Sequence, residues 1–342
     1  LIILTIWPNK GKPIFEKLFK VKSAKFVLQF LDEKTSFLQD LSMFSKLQIG
    51  VFLRALFYWL YWNFKGLIFP TLMILYLFCF IGFEASNSMS MNTFQLGLMI
   101  FGLLVVGIPH GALDHLTGFI SKNKKISFRF ISIYLALMIP IFFLWLLAPK
   151  VGLLFFLVYS AWHFGQTDME HWNIHSRLVG FIWGVILLCF LLLTHIEQLN
   201  IVLNALNISP IFSFPGINIL CYFLLSVGFV LAISFRKTEW FLILIFLFCC
   251  QYINLIFAFG MYFIFHHSRL GWKHLKESLA ISNFRMYLLA LPFNVGAIVL
   301  FFLFFNNFHL SLNQNIAYFF IFLSCVSFPH VLSMDVFYKS NN

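Results

Sequence analysis

Long apolar runs recur along the chain with short polar punctuation between them. They fall near residues 66–83, 94–120, 129–148, 151–168, 178–196, 217–235, 240–265, 286–305 and 314–336. Most approach or exceed the roughly 20 residues that a helix needs to cross a hydrocarbon core about 30 Å thick. Only helices and closed barrels satisfy the backbone inside lipid, and no short alternating strands are visible to build a barrel. The pattern predicts an all-α fold, a polytopic membrane helical bundle of about 8–10 membrane segments. Residues 48–64, where Arg54 sits among Tyr58, Trp59, Tyr61 and Trp62, read instead as an amphipathic segment at the interface. No low-complexity linker interrupts the chain. Its expected organisation is a basic N-terminal segment over 1–65 and one transmembrane domain over 66–342.

Composition sharpens this reading. Of 342 residues, 61% are hydrophobic and only 10% charged, which excludes an ordinary soluble domain. The net charge of +11 is no nucleic-acid footprint, because the basic residues stand between apolar runs, where they set orientation. Ten of the 23 Lys and Arg lie in residues 1–65, against Glu16, Asp32, Glu33 and Asp40. That segment is expected to be cytoplasmic or to lie on the cytoplasmic leaflet, in a multi-pass protein of the cell (inner) membrane. The loop holding Lys122, Lys124, Lys125 and Arg129 joins it on the same side, whereas 84–93 carries no Lys or Arg. Counting crossings onward would put Arg269, Lys273, Lys276 and Arg285 outside, against the charge rule. A segment over 240–265 that re-enters and returns, turning near Gln251 and Asn254, removes the conflict; a plain span under a weaker charge rule is the alternative. All six cysteines lie in apolar stretches without CxxC spacing and are expected to act as small core hydrophobes.

The chemistry is carried by histidines. Several of the eleven fall at membrane depth, where ionisable groups are functional candidates. They lie in four strings: GIPHGALDH (Gly107–His115), WHFGQTD (Trp162–Asp168), FHHSRLGWKH (Phe265–His274) and FPHVLSMD (Phe328–Asp335). Pro109 with Gly107 and Gly111 permits a kink that brings His110 toward the bundle interior. At 100° per residue Asp114 projects near His110, placed to accept the second ring N–H of a metal-bound imidazole, while His115 turns away. His163 shares a face with Gln166 and Thr167, and Asp168 closes that span. His267 and His274 stand two turns apart, about 10.5 Å, so both reach one metal only if their helix breaks, with Gly271 the candidate point. Pro329-His330 repeats Pro109-His110. Imidazoles from several helices without a thiolate suit iron, zinc or copper. Against this, a single membrane histidine more often donates a hydrogen bond between helices. By the same reasoning His171 and His175 read as solvated, and His195 and His309 as interfacial.

PHGALDH, WHFGQTD and HHSRLGWKH resemble the Brp/Blh family of membrane β-carotene 15,15′-dioxygenases over roughly residues 66–336. The resemblance implies an Fe(2+) enzyme that cleaves the central double bond of β-carotene with O2 to give retinal, its apolar substrate arriving from membrane lipid. It implies His110, His163 and His267 as metal ligands. The family's further His, four residues on, corresponds to Gly271; His274 is expected in its place, with His266 and His330 as alternatives, or three imidazoles hold the iron. Asp114, His115, Gln166 and Asp168 are expected behind the ligands, and no catalytic residue beyond the metal centre. Two other classes stand beside this one. A membrane di-iron hydroxylase or desaturase normally shows HxxxH and HxxHH clusters, which are not matched here. A transporter or rhodopsin-assembly protein would use the same residues as a proton path or as helix contacts.

Overall fold

The computed structural model describes residues 93–117, 128–211, 216–304 and 312–341, together with Pro70, Met73 and Ile74. The basic segment 1–65, the amphipathic stretch 48–64, most of the first expected span, the loop at Lys122–Lys125 and His309 lie outside them. Every regular element described is helical. The first is α1 (Thr93–Gly102), which widens into a π-helical turn (Leu103–Gly107), continues as α2 (Ile108–Gly111) and ends in a 3-10 turn (Asp114–Leu116). Then follow α3 (Phe128–Leu147), α4 (Pro149–His171), α5 (Arg177–Leu193), α6 (Ile196–Ala205), α7 (Ile217–Ser234) and α8 (Thr238–Cys250). Next, α9 (Leu255–Gly260) passes through a second π-helical stretch (Met261–Ser268) into α10 (Arg269–Leu279), and α11 (Asn283–Phe304) and α12 (Leu312–Asn341) complete the described fold.

Four described helices are long and apolar enough to cross a bilayer: α3, α7, α11 and α12. The pair α5 and α6, bent by 89° between them, makes a fifth if taken as one span. These features make a multi-pass membrane protein. Lipid-facing surfaces carry exposed Leu, Ile, Val and Phe such as Leu147, Phe223, Val230 and Leu291. The buried core gathers Trp183, Trp240, Phe246, Phe257 and Tyr262 from α5, α8, α9 and the second π stretch. Helices α4 and α5 meet backbone to backbone. A Cβ on Gly165 would stand 1.8 Å from the Gly180 carbonyl oxygen, and one on Gly184 would stand 1.8 Å from that of Ala161. Small residues four apart on both helices permit this approach, and His163 lies between the two contacts on α4.

Three helical runs travel side by side in one direction. Along α4, α9–α10 and α12, the rings of His163 and His267 meet, as do those of His163 and His330. Further toward the C-terminal ends His171 lies beside His274, and His274 beside Tyr338. Glu239, in the first turn of α8, takes a 2.6 Å bond from His171. Helix α8 therefore starts at the end where α10 finishes, runs about 20 Å away, and the chain returns through α9. The break falls at Gln251–Asn254, where Asn254 caps α9 by accepting from the N–H groups of Ile256 and Phe257. His195, expected at an interface, is buried instead and clamps this break. Its Nδ1 lies 2.7 Å from the Leu191 carbonyl oxygen, and its Nε2 lies 3.1 and 2.8 Å from those of Cys250 and Ile253.

Candidate metal centre

His110 is delivered by an irregular helix. Pro109 has no N–H for the carbonyl of Val105, four residues back, and the Tyr287 hydroxyl donates to that oxygen instead, at 3.1 Å. The π-helical turn before it shifts the helix face, as π turns near functional sites commonly do. His110 Nδ1 donates to the Gly107 carbonyl, so its proton is held there and Nε2 presents a lone pair. That Nε2 is buried and has no hydrogen-bond partner among the described residues.

His163 from α4 and His330 from α12 meet it. One ring nitrogen from each of the three histidines lies within 4.8 Å of the others, and all three side chains are buried. His330 follows Pro329 inside α12, and its Nδ1 donates to Asp114 Oδ1 at 2.8 Å. Asp114 Oδ2 accepts from the Tyr134 hydroxyl at 2.9 Å. The Nε2 atoms of His163 and His330, like that of His110, are buried without partners among the described residues. His267 stands against the group, its ring 4.7 Å from that of His163 and 5.5 Å from that of His110. Buried polar atoms are rarely left without partners in proteins. Three buried imidazoles brought this close are an arrangement that a divalent transition metal completes, and the all-nitrogen donor set fits iron, zinc or copper.

The structure does not bring His274 to this group. Helix α10 runs unbroken through Gly271, so His274 stays two turns below His267, about 10.5 Å along the axis. Its Nδ1 lies 3.2 Å from the Tyr338 hydroxyl, and it lines a pocket of about 290 Å³ with Glu170, His171, Lys273 and Glu277. Burial holds its pKa down, to about 3, with neighbouring His171 and Lys273 adding to the shift. Gly271 itself lies beneath His110, and a Cβ there would stand 3.2 Å from His110 Cδ2.

The remaining expected residues are placed as follows. Asp168 is fully buried and accepts from Trp183 Nε1 at 2.8 Å, the Tyr262 hydroxyl at 2.9 Å and His266 Nε2 at 3.1 Å. It holds His266, whose remaining Nδ1 lies outside the three-nitrogen group. His115 is buried with its ring 5.1 Å from Phe293 and 6.2 Å from Phe130. Gln166 Nε2 donates to the Arg177 carbonyl at 3.0 Å and ties α4 to α5. Asp335 pairs with Lys339. Tyr134, Tyr262 and Trp183 were not singled out from sequence. A buried aspartate in an apolar span needs several donors, and aromatic O–H and N–H groups are the ones such a core can supply.

Residues 101–338 match the family described as beta-carotene 15,15'-dioxygenase. A protein of an uncultured marine bacterium (66A03), named beta-carotene 15,15'-dioxygenase, is 25% identical over 264 residues, which cover 72% of this chain and 94% of that protein. No solved structure matches the chain. The match spans every histidine of the buried group and well over half of the sequence, and the chain therefore belongs to the beta-carotene 15,15'-dioxygenase family of carotenoid-cleaving enzymes.

Proposed function

We propose that the protein cleaves the central 15,15′ double bond of β-carotene with O2, giving two molecules of retinal. In this reading Fe(2+) is held by His110, His163 and His330, with His267 beside them as the fourth imidazole. The observation that carries it is the group of three buried histidines with one ring nitrogen of each within 4.8 Å of the others, each Nε2 without a partner among the described residues, in a chain of this family. Bound iron would supply the electron that spin-paired carotene cannot readily pass to O2.

The protein's own residues do the rest. The Gly107 carbonyl and the Asp114 carboxylate fix the Nδ1 protons of His110 and His330, which keeps both Nε2 atoms turned inward. Tyr134 holds the far oxygen of Asp114. Phe164 and Phe263 pack against His267 at 4.6 and 5.8 Å and exclude water from that side. No general acid or base is required, because both oxygen atoms of O2 end in the two aldehydes. The bilayer delivers the water-insoluble substrate sideways. The protein belongs in the cell membrane with its basic N-terminal segment cytoplasmic. Residues 66–342 form the catalytic domain.

The test is expression in cells that accumulate β-carotene. Loss of colour with formation of retinal supports the reading. Hydroxylated but uncleaved carotenoid, or unchanged colour with folded protein present, contradicts it.

A further inference from the structure

Along the buried run Phe257–Ser268, all but three residues are closed off. Those three are Phe259, Phe263 and Phe265, and the first two fall eight and four residues before His267, on the face that carries it. Their rings form a ribbon. Phe263 lies 5.8 Å from His267, stacked at 24°, and Phe259 lies 5.8 Å from Phe263, stacked at 11°. Phe263 also stands 5.8 Å from His110, so the ribbon begins at two histidines of the centre. At its outer end Phe320 of α12 faces Phe259 at 6.1 Å and is itself only partly buried. The length from His267 to Phe259 is eight residues, about 12 Å of helix. Phe265 keeps part of its surface on another face, but the partly open rings of Phe259 and Phe263 follow one another on the face that leads to the centre, and such a strip fits a long, flat, apolar occupant.

A second aromatic set, Phe155, Tyr159 and Phe328, packs together between α4 and α12, with Phe155 exposed. The Tyr159 hydroxyl donates to the Ser324 carbonyl at 2.6 Å and joins α4 to α12, and its ring is buried.

We propose that Phe263, Phe259 and Phe320 form the wall along which one arm of a conjugated polyene lies, and that Phe259 sets which double bond is presented to the centre. This rests on the proposed cleavage of β-carotene. Stacked rings match the flat face of a polyene and offer no hydrogen-bond partner, so an arm carrying a hydroxyl would lose hydration without compensation. Removing the Phe259 ring lets the arm slide, and the bond presented changes.

The experiment compares wild type, Phe259→Ala and Phe155→Ala, each purified with iron content measured, on β-carotene, with products separated by chain length. Phe259→Ala is expected to keep full iron, raise KM about tenfold and release unequal apocarotenals beside retinal, while Phe155→Ala gives retinal alone. Wild-type KM and retinal as sole product in iron-loaded Phe259→Ala overturn the wall. Should that variant not fold, Phe320→Leu reads the same wall from α12, with the same outcomes deciding. If wild type forms no retinal, the proposed reaction itself fails, a result separate from any behaviour of the variants.

Discussion

Two buried aspartates each hold a histidine, and the two pairs do different work. Asp114 accepts the hydrogen bond of His330 Nδ1 and leaves Nε2 without a partner in a ring that is grouped with those of His110 and His163. Asp168 accepts the hydrogen bond of His266 Nε2, and its other partners, Tyr262 and Trp183, belong to the large aromatic core. The first pair lies in the histidine group and the second in the aromatic core beside it. An aspartate–histidine pair in a membrane span does not by itself identify a metal ligand. What identifies it is which ring nitrogen remains free and where that nitrogen points.

The largest effect that tests this contrast is removal of a histidine in the group. His110→Ala or His163→Ala should reduce iron per chain by more than the roughly 10–100-fold that loss of an outer partner typically costs. Metal analysis of the purified variants checks it. Asp114→Asn comes next. It keeps the shape but weakens the bond to His330, and about 10–100-fold loss of activity or iron affinity is expected. Turnover and iron equal to wild type would make Asp114 a packing residue.

Asp168→Asn should behave differently. An amide presents N–H toward His266 Nε2, whose proton then has no acceptor, at a stability loss of about 1–3 kcal/mol. Thermal unfolding should show that loss, while the folded fraction keeps its iron. If iron falls and stability does not, the two aspartates are equivalent after all. Smaller still is Gly271→Ala. Its Cβ would crowd the His110 ring from 3.2 Å, and a loss of a few-fold in kcat with iron retained is expected. His195→Ala should leave iron and products unchanged and lower only thermal stability, by about 1–2 kcal/mol, since the ring ties the breaks after α5 and α8 together.

The spans were largely legible because lipid demands long apolar helices whatever the neighbours do. The sequence-based boundaries for α3, α4, α5, α7, α11 and α12 agree with the structure within a few residues. The interruption at Gln251–Asn254 was legible too, because amides in an apolar run need partners there. Neither π-helical stretch was legible, since a wider turn leaves no composition signal and depends on packing around His110 and His267. His110 and His163 carried their own signals, a Pro-His kink and a polar stripe. The sequence reading set His274 ahead of His330, whereas the structure groups His330 with His110 and His163. That choice depends on whether the helix breaks at Gly271, and its close packing under His110 is a tertiary fact. Tyr134 gave no signal because it lies on a separate helix, 20 residues from the aspartate it holds.

The most direct measurement is iron per chain in His330→Ala and His274→Ala, purified side by side with wild type. About one iron is expected in wild type and in His274→Ala, and near-complete loss in His330→Ala. Full iron in His330→Ala together with loss in His274→Ala would contradict it and move the centre toward the polar end of α10.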